Sequence, residues 1–181
     1  MKCWRQSFNI YLLAVLLAAG CETGGLSPTK DYSKLRIYME GQESDGTLVR
    51  VGRDKTPIYV KAEPILTEED VEGARVEENA DGTLGIQVKF SDHGGIVLDM
   101  ESTANRGRHL VVFCQFRPGK NTSDEAATEL GKSLPWMAMV PIRVGLTGGV
   151  VHFTVPATQA EAQQIVQSIN NSVAELQKLG N

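Results

Sequence analysis

The side chains best suited to moving protons near neutral pH are His93, His109 and His152, and none stands at metal-ligand spacing from another histidine or a cysteine. No C-x-x-C, H-E-x-x-H or G-x-S-x-G pattern occurs, so the motifs of redox, zinc-hydrolase and serine-nucleophile chemistry are missing. His109 and His152 fall in strand patterns and read as surface or hydrogen-bonded sheet residues; His93, in a first helical turn, reads as solvated. Asp92, Asp99 and Glu101 gather on or near one helix, and Glu68, Glu69, Asp70 and Glu72 crowd a short turn. Such carboxylates could hold a hard cation, but cation sites usually add a glycine-turned loop of alternating oxygen ligands, and a solvated face accounts for them. Gly148-Gly149 reads as a hairpin turn rather than a phosphate cradle, because no helix start follows it. Cys114 sits in His109-Leu110-Val111-Val112-Phe113-Cys114-Gln115-Phe116, apolar on both alternating faces, so it is expected as an inert thiol in a strand buried on both sides. No catalytic residue, metal ligand or cofactor is assigned.

The one covalent site the sequence proposes is at its start. Lys2 and Arg5 precede the apolar run Ile10 to Leu17, which is short for a bilayer span and has the layout of an export signal. It ends in Ala18-Ala19-Gly20-Cys21, which resembles the lipobox of bacterial lipoproteins. That resemblance implies cleavage before Cys21 and a diacylglycerol on its sulfur; an ordinary secretory signal cut after Gly20 is the alternative. Cleavage would remove two basic side chains and no acidic one, moving the net charge from −4 to −6. Membrane attachment then rests on acyl chains, each buried methylene contributing about 0.8 kcal/mol, and not on a polybasic patch. With Cys3 lost and Cys21 lipidated, Cys114 has no disulfide partner. Glu22, in place of the aspartate that favours inner-membrane retention in enterobacterial lipoproteins, points to the outer membrane if the source has two.

The elements that must follow suit one folded domain. The chain has 181 residues, 41% hydrophobic and 22% charged, with 18 basic against 22 acidic side chains. That is enough for a single core and too charged for a membrane-helix bundle, and without a basic, aromatic-interleaved stripe it excludes nucleic acid as partner. Residues 1–20 form the signal and 21–34 a Gly- and Pro-bearing tether. Residues 35–62 are expected as a strand meander, opened by Leu35, Ile37 and Met39 in alternation with polar neighbours.

Residues 63–181 are more strongly patterned. Thr67 should cap a short turn, and Asp81-Gly82 should turn a hairpin into Ile86, Val88 and Phe90. Ser91 should cap a helix to about Asn105, with Ile96, Val97, Met100 and Ala104 on its inner face and Gly107 ending it. Arg117 to Pro135 is an excursion with room for one small helix. Strands over Trp136–Val144 and Val150–Val155 are joined through Gly145 to Gly149. Thr158 and Glu161 form a capping box for a terminal helix carrying Ile165, Val166, Ile169, Val173, Leu176 and Leu179 on one stripe. The pattern predicts an α+β two-layer sandwich, a mainly antiparallel sheet with two helices packed on one face.

Glu63-Pro64-Ile65-Leu66-Thr67-Glu68-Glu69-Asp70-Val71, followed by Ala74-Arg75-Val76, resembles the start of the head subdomain in the first periplasmic domain of SecD and SecDF, membrane subunits that assist protein export. Ser102 to Arg108 before an apolar strand, Val140-Pro141-Ile142, Gly148-Gly149 and Ala160-Glu161-Ala162 follow in the expected order, over about residues 63 to 179. The resemblance implies a shared fold. The family's membrane helices have no counterpart in this sequence, so ion-coupled export is not implied.

These readings converge on a non-catalytic envelope protein, held to the membrane through lipid on Cys21, with a polypeptide or envelope protein as partner. A self-assembling structural lipoprotein and a hydrolase with an unrecognised site are the alternatives. Pro135 and Pro141 suit a strand at a sheet edge. Trp136, Ala138 and Val140 alternate there with Met137, Met139 and Pro141, so Arg117 to Val144 is the expected partner surface, with Trp136 as anchor beside Met137 and Met139. Burial of both faces of that strand is the competing expectation.

Overall fold

The computed structural model describes residues 29–120, 135–155 and 157–179. The signal, Cys21 and most of the tether, and the small helix expected within 121–134, lie outside the described residues.

Among the described residues, nine strands and two α-helices follow in the order β1 (Tyr32–Met39), β2 (Gly46–Val51), β3 (Thr56–Lys61), β4 (Leu66–Thr67), β5 (Val71–Glu78), β6 (Leu84–Phe90), α1 (Asp92–Ala104), β7 (His109–Arg117), β8 (Trp136–Pro141), β9 (Val150–Thr154) and α2 (Gln159–Leu179). They form a four-stranded sheet ordered β4-β1-β7-β8, a three-stranded sheet ordered β5-β6-β9 and a β2-β3 hairpin, with every pairing antiparallel. The expected α+β architecture with two helices is what forms.

The expected meander does not form. β1 pairs along its whole length with β7, Leu35 opposite Cys114 and Ile37 opposite Val112, and pairs with β4 on its other side. Its alternation is satisfied by burying Leu35, Ile37 and Met39 in the main core, whereas β2 and β3 turn back on each other. β1 also starts earlier than the tether reading allowed. Ser33 is 2% exposed; its amide donates to Ser172 Oγ (2.9 Å), and its hydroxyl bonds Ser168 Oγ (2.6 Å). Serine reads as surface in a sequence, but here three serines satisfy one another and fasten β1 to α2; losing a partner of a buried donor costs about 1–3 kcal/mol.

The main core joins β1, β6, β7 and β9 to one face of each helix, through Ile86, Val88, Phe90, Leu98, Leu110, Val112, Ile165 and Ile169 among others. A second cluster of Val49, Val51, Val60 and Val111 lies under the hairpin. Leu110 and Val112 thus point into one core and Val111 into the other, so β7 is buried on both sides, as its apolar run predicts.

Caps fall where the sequence places them. Thr67 caps a single 3-10 turn over Glu68–Asp70, and Ser91 accepts from the Gly94 amide at 3.2 Å. The Thr158 amide donates to Glu161 at 2.6 Å, and the backbone and hydroxyl of Thr158 hold that carboxyl below its ordinary range. At the β5–β6 turn Gly82 has φ +77°, which glycine adopts freely, and the Thr83 hydroxyl and amide both donate to Asp81.

Of the inner face expected for α1, only Val97 is turned toward the core. Gly94, Leu98 and Ser102 are buried, with Val97 partly turned in, while Ile96 and Met100 are 62% and 67% exposed and Ala104 is exposed. Small residues let this helix approach its neighbours. A side chain at Gly94 would meet Phe90 Cβ at 3.0 Å, one at Gly95 would meet Gly149 Cα at 3.3 Å, and the Ser102 hydroxyl accepts from the Leu146 amide at 2.7 Å. In α2 the stripe holds for Ile165, Ile169 and Val173, but Leu179 is 77% exposed at the helix end.

The segment from 142 to 149 is not a hairpin turn, because β8 belongs to the four-stranded sheet and β9 to the three-stranded one. β8 stops at Pro141 rather than Val144, and the chain then runs along α1. Gly149, at φ +66°, passes against Gly95.

Candidate functional site

β8 is the outer strand of one sheet and β9 the outer strand of the other, and a cleft of about 350 Å³ opens between them. Met137 to Pro141 form one wall and His152 to Thr154 the other, with Glu77, Asn79 and Asp54 contributing polar rim groups. Two unclosed sheet edges beside an apolar strand make a place where an extended chain can add main-chain hydrogen bonds.

A bulge sets which side chains face the cleft and the cores. Ala138 is opposite Val112 and Trp136 opposite Phe113, so Met137 is the extra residue between them. The insertion turns Trp136 onto the side of Met139, against the hairpin cluster, while Met137, Ala138 and Val140 pack on the main core. Simple alternation would have put Trp136 with Ala138 and Val140, and the bulge overturns that. Pro135 supplies the carbonyl that accepts from the Cys114 amide at 2.7 Å, and the Trp136 carbonyl accepts from Gly52 at 3.0 Å.

Trp136 is half-buried, its ring centroid 5.1 Å from Tyr38 and 5.0 Å from Phe113. That aromatic group joins the end of β8 to the hairpin. The three side chains singled out on this strand therefore divide: Met137 and Met139 line the cleft, and Trp136 supports its end.

The polar cluster on this rim was not legible in the sequence, because its members come from three separate strands. His152 Nδ1 lies 3.0 Å from Glu77 Oε2, its Nε2 lies 3.0 Å from Gln87 Nε2, and Arg75 reaches the same Glu77 at 2.7 Å. The register sets Arg75, Gln87 and His152 in one row across β5-β6-β9, with Glu77 two residues along β5 from Arg75.

The remaining histidines lie elsewhere. His93 Nδ1 is 3.1 Å from Asp70, and His109 Nδ1 is 2.8 Å from Glu40, whose carboxylate also accepts the His109 amide. Among the described residues no group of three or more His, Cys, Asp or Glu side chains could hold a metal, and no helix is long and apolar enough to cross a membrane. Burial pushes the Cys114 thiol up to about 11, so it carries almost no thiolate near neutral pH.

No family model and no curated protein matches this sequence. Solved structures do match in shape. One, described as a membrane component SecDF that enhances protein export, superposes with a TM-score of 0.53 and 14% identity, over 93% of this chain and 70% of that one. Another, SecDF in a super-membrane-facing form, gives 0.52 and 16% over 76% of this chain, which spans 18% of its length. At such identities the likeness is one of architecture, and it bears out the resemblance carried by the Glu63 to Val76 region: this chain carries a domain with the SecD/SecDF-like α+β fold.

Proposed function

We propose that this protein is a non-catalytic, lipid-anchored component of the bacterial envelope that holds an extended polypeptide at the β8 edge. The observation that carries the reading is the cleft between the outer strands of two sheets, walled by Met137, Met139 and Pro141. Main-chain pairing along such an edge is sequence-tolerant, and methionine is an adaptable apolar contact, a combination suited to polypeptides of varied sequence. Likeness in fold to a membrane component that enhances protein export supports a role beside exported chains. Ala18-Ala19-Gly20-Cys21 supports anchoring through acyl chains on Cys21, and Glu22 favours the outer membrane.

Photo-cross-linking side chains at Met137 and at Met139 in the full chain test the edge, with exposed Ala174 of α2 as control. The probe is a reduced, carboxymethylated polypeptide that cannot fold. Saturable adducts at 137 and 139, at least five-fold above position 174 and absent with the folded form of the same probe, are expected. Equal adducts at all three positions would remove the edge from consideration. Fatty-acid labelling of wild type and Cys21→Ser tests the anchor separately: label should disappear from the variant, and equal label in both would refute lipidation at Cys21.

A further inference from the structure

The face that α1 turns to solvent presents a second surface, remote in sequence from the β8 edge. Ile96, Met100 and Val144 are 62%, 67% and 66% exposed, three of the five large hydrophobic side chains described as exposed. Ile96 and Met100 are one helical turn apart on a single stripe, continued toward the helix start by Asp92. The 143–149 segment runs beside them, with Gly145 over Asp99 and Thr103 and Gly149 against Gly95. Between helix and segment lies an open groove of about 600 Å³, lined by Ile96, Asp99 and the Thr147-Gly148-Gly149 backbone. An exposed apolar stripe on a helix face beside a groove suits an interaction surface.

Its two ends differ in charge. At the N-terminal end Asp92 lies beside Lys89, which is paired with Glu72. At the C-terminal end the Gly107 amide donates to the Ile142 carbonyl and the Ile142 amide to the Arg108 carbonyl. Arg106 and Arg143, both exposed, are the residues that flank this ladder on its two segments, and exposed Val144 follows Arg143. Acidic and basic ends lie roughly 20 Å apart at the helical rise, with the apolar ridge between them.

Rotating such a surface by 180° about an axis through the Ile96–Met100 midpoint sets acid against base at both ends and apolar against apolar at the centre. It also brings Met100 of one copy opposite the groove beside Ile96 of the other. We propose that α1 is the interface of a two-fold homodimer of this chain, its helices antiparallel, Met100 seated in the partner groove and Asp92 facing Arg106 and Arg143. A lipid surface fits less well, since an anionic one would be repelled at the acidic end. A single helix face covers less than the ~800 Å² per partner of a standard stable interface, so the dimer is weak and reversible. It leaves the β8 edge open and stands or falls independently of polypeptide binding.

Covalent trapping in native envelopes tests it. Full-length Met100→Cys is treated with a short bismaleimide, with Leu48→Cys, exposed on the hairpin, as control and wild type as background. A product of twice the monomer mass should form with Met100→Cys at least five-fold more than with Leu48→Cys. Adding Asp92→Arg should cut the yield at least five-fold by opposing like charges. Adding Arg106→Asp and Arg143→Asp to that chain should restore it. A Met100→Cys thiol that takes up a monofunctional maleimide yet gives no dimer, an adduct of another mass, equal dimer at position 48, or indifference to charge reversal would each overturn the proposal.

Discussion

Cys114 is the residue whose environment makes the sharpest chemical statement. It is 7% exposed, opposite Leu35 in the β1–β7 pair, and burial raises its pKa from 9.0 to about 11, partly offset by the Ser33 hydroxyl. At pH 8 about one thiol in a thousand is then ionised, so native alkylation followed by peptide mapping should leave the Cys114 peptide unmodified until denaturant is added. Rapid labelling of the native protein would contradict this burial. Because the folded pKa lies above the unfolded one, the stabilising contribution is complete below pH 9 and is lost as pH rises toward 11. The urea midpoint of wild type should fall over that range more than that of Cys114→Ala. The thiol's burial was legible because apolar residues surround it on both alternating faces. The serines that fasten β1 beside it were not, because nothing local distinguishes Ser33, Ser168 or Ser172 from solvent-facing serines.

At the scale of elements, periodicity served α2 and misled for α1. Large apolar residues mark the buried stripe of α2, and Ile169 is 1% exposed there while Gln167 faces solvent. Ile169→Asp should place an unpaired charge in the core and lower stability by about 3–5 kcal/mol, whereas Gln167→Asp should change it by less than about 0.5 kcal/mol. Equal losses in melting temperature would show that the helix does not pack on this face. In α1 the contact is made by residues that a hydrophobicity pattern ignores, Gly94, Gly95 and Ser102, because close approach to Asp70, Gly149 and Leu146 needs small groups rather than large ones. The same limit applies to β8. A bulge is one extra residue that leaves no mark in the alternation, and at Met137 it decides which wall Trp136 joins.

For the whole molecule, local patterns identified most strands but not their partners, and the cleft exists only because of the partnering. β8 and β9 are near neighbours in sequence and would pair as a hairpin if only the connection mattered. Instead β8 closes on β7 and β9 on β6, leaving two edges facing one space. β1 is the strand on which this arrangement depends, since it lies between β4 and β7 and carries Leu35, Ile37 and Met39 into the core shared with both helices. The β2–β3 hairpin, by contrast, covers the far side of the four-stranded sheet around Val111 and Trp136. The two N-terminal pieces should therefore differ in what their removal does. Replacing residues 42–61 by a short Gly-Ser link uncovers the second cluster but leaves the β1–β7 pairing, and the protein should keep a cooperative melt at a lower Tm. Starting the chain at Glu63 removes β1 and should abolish cooperative melting, because β7 loses its central neighbour and α2 loses the serine contacts that dock it. Cooperative unfolding of the chain begun at Glu63, followed by circular dichroism, would mean that residues 63–179 hold their core without β1.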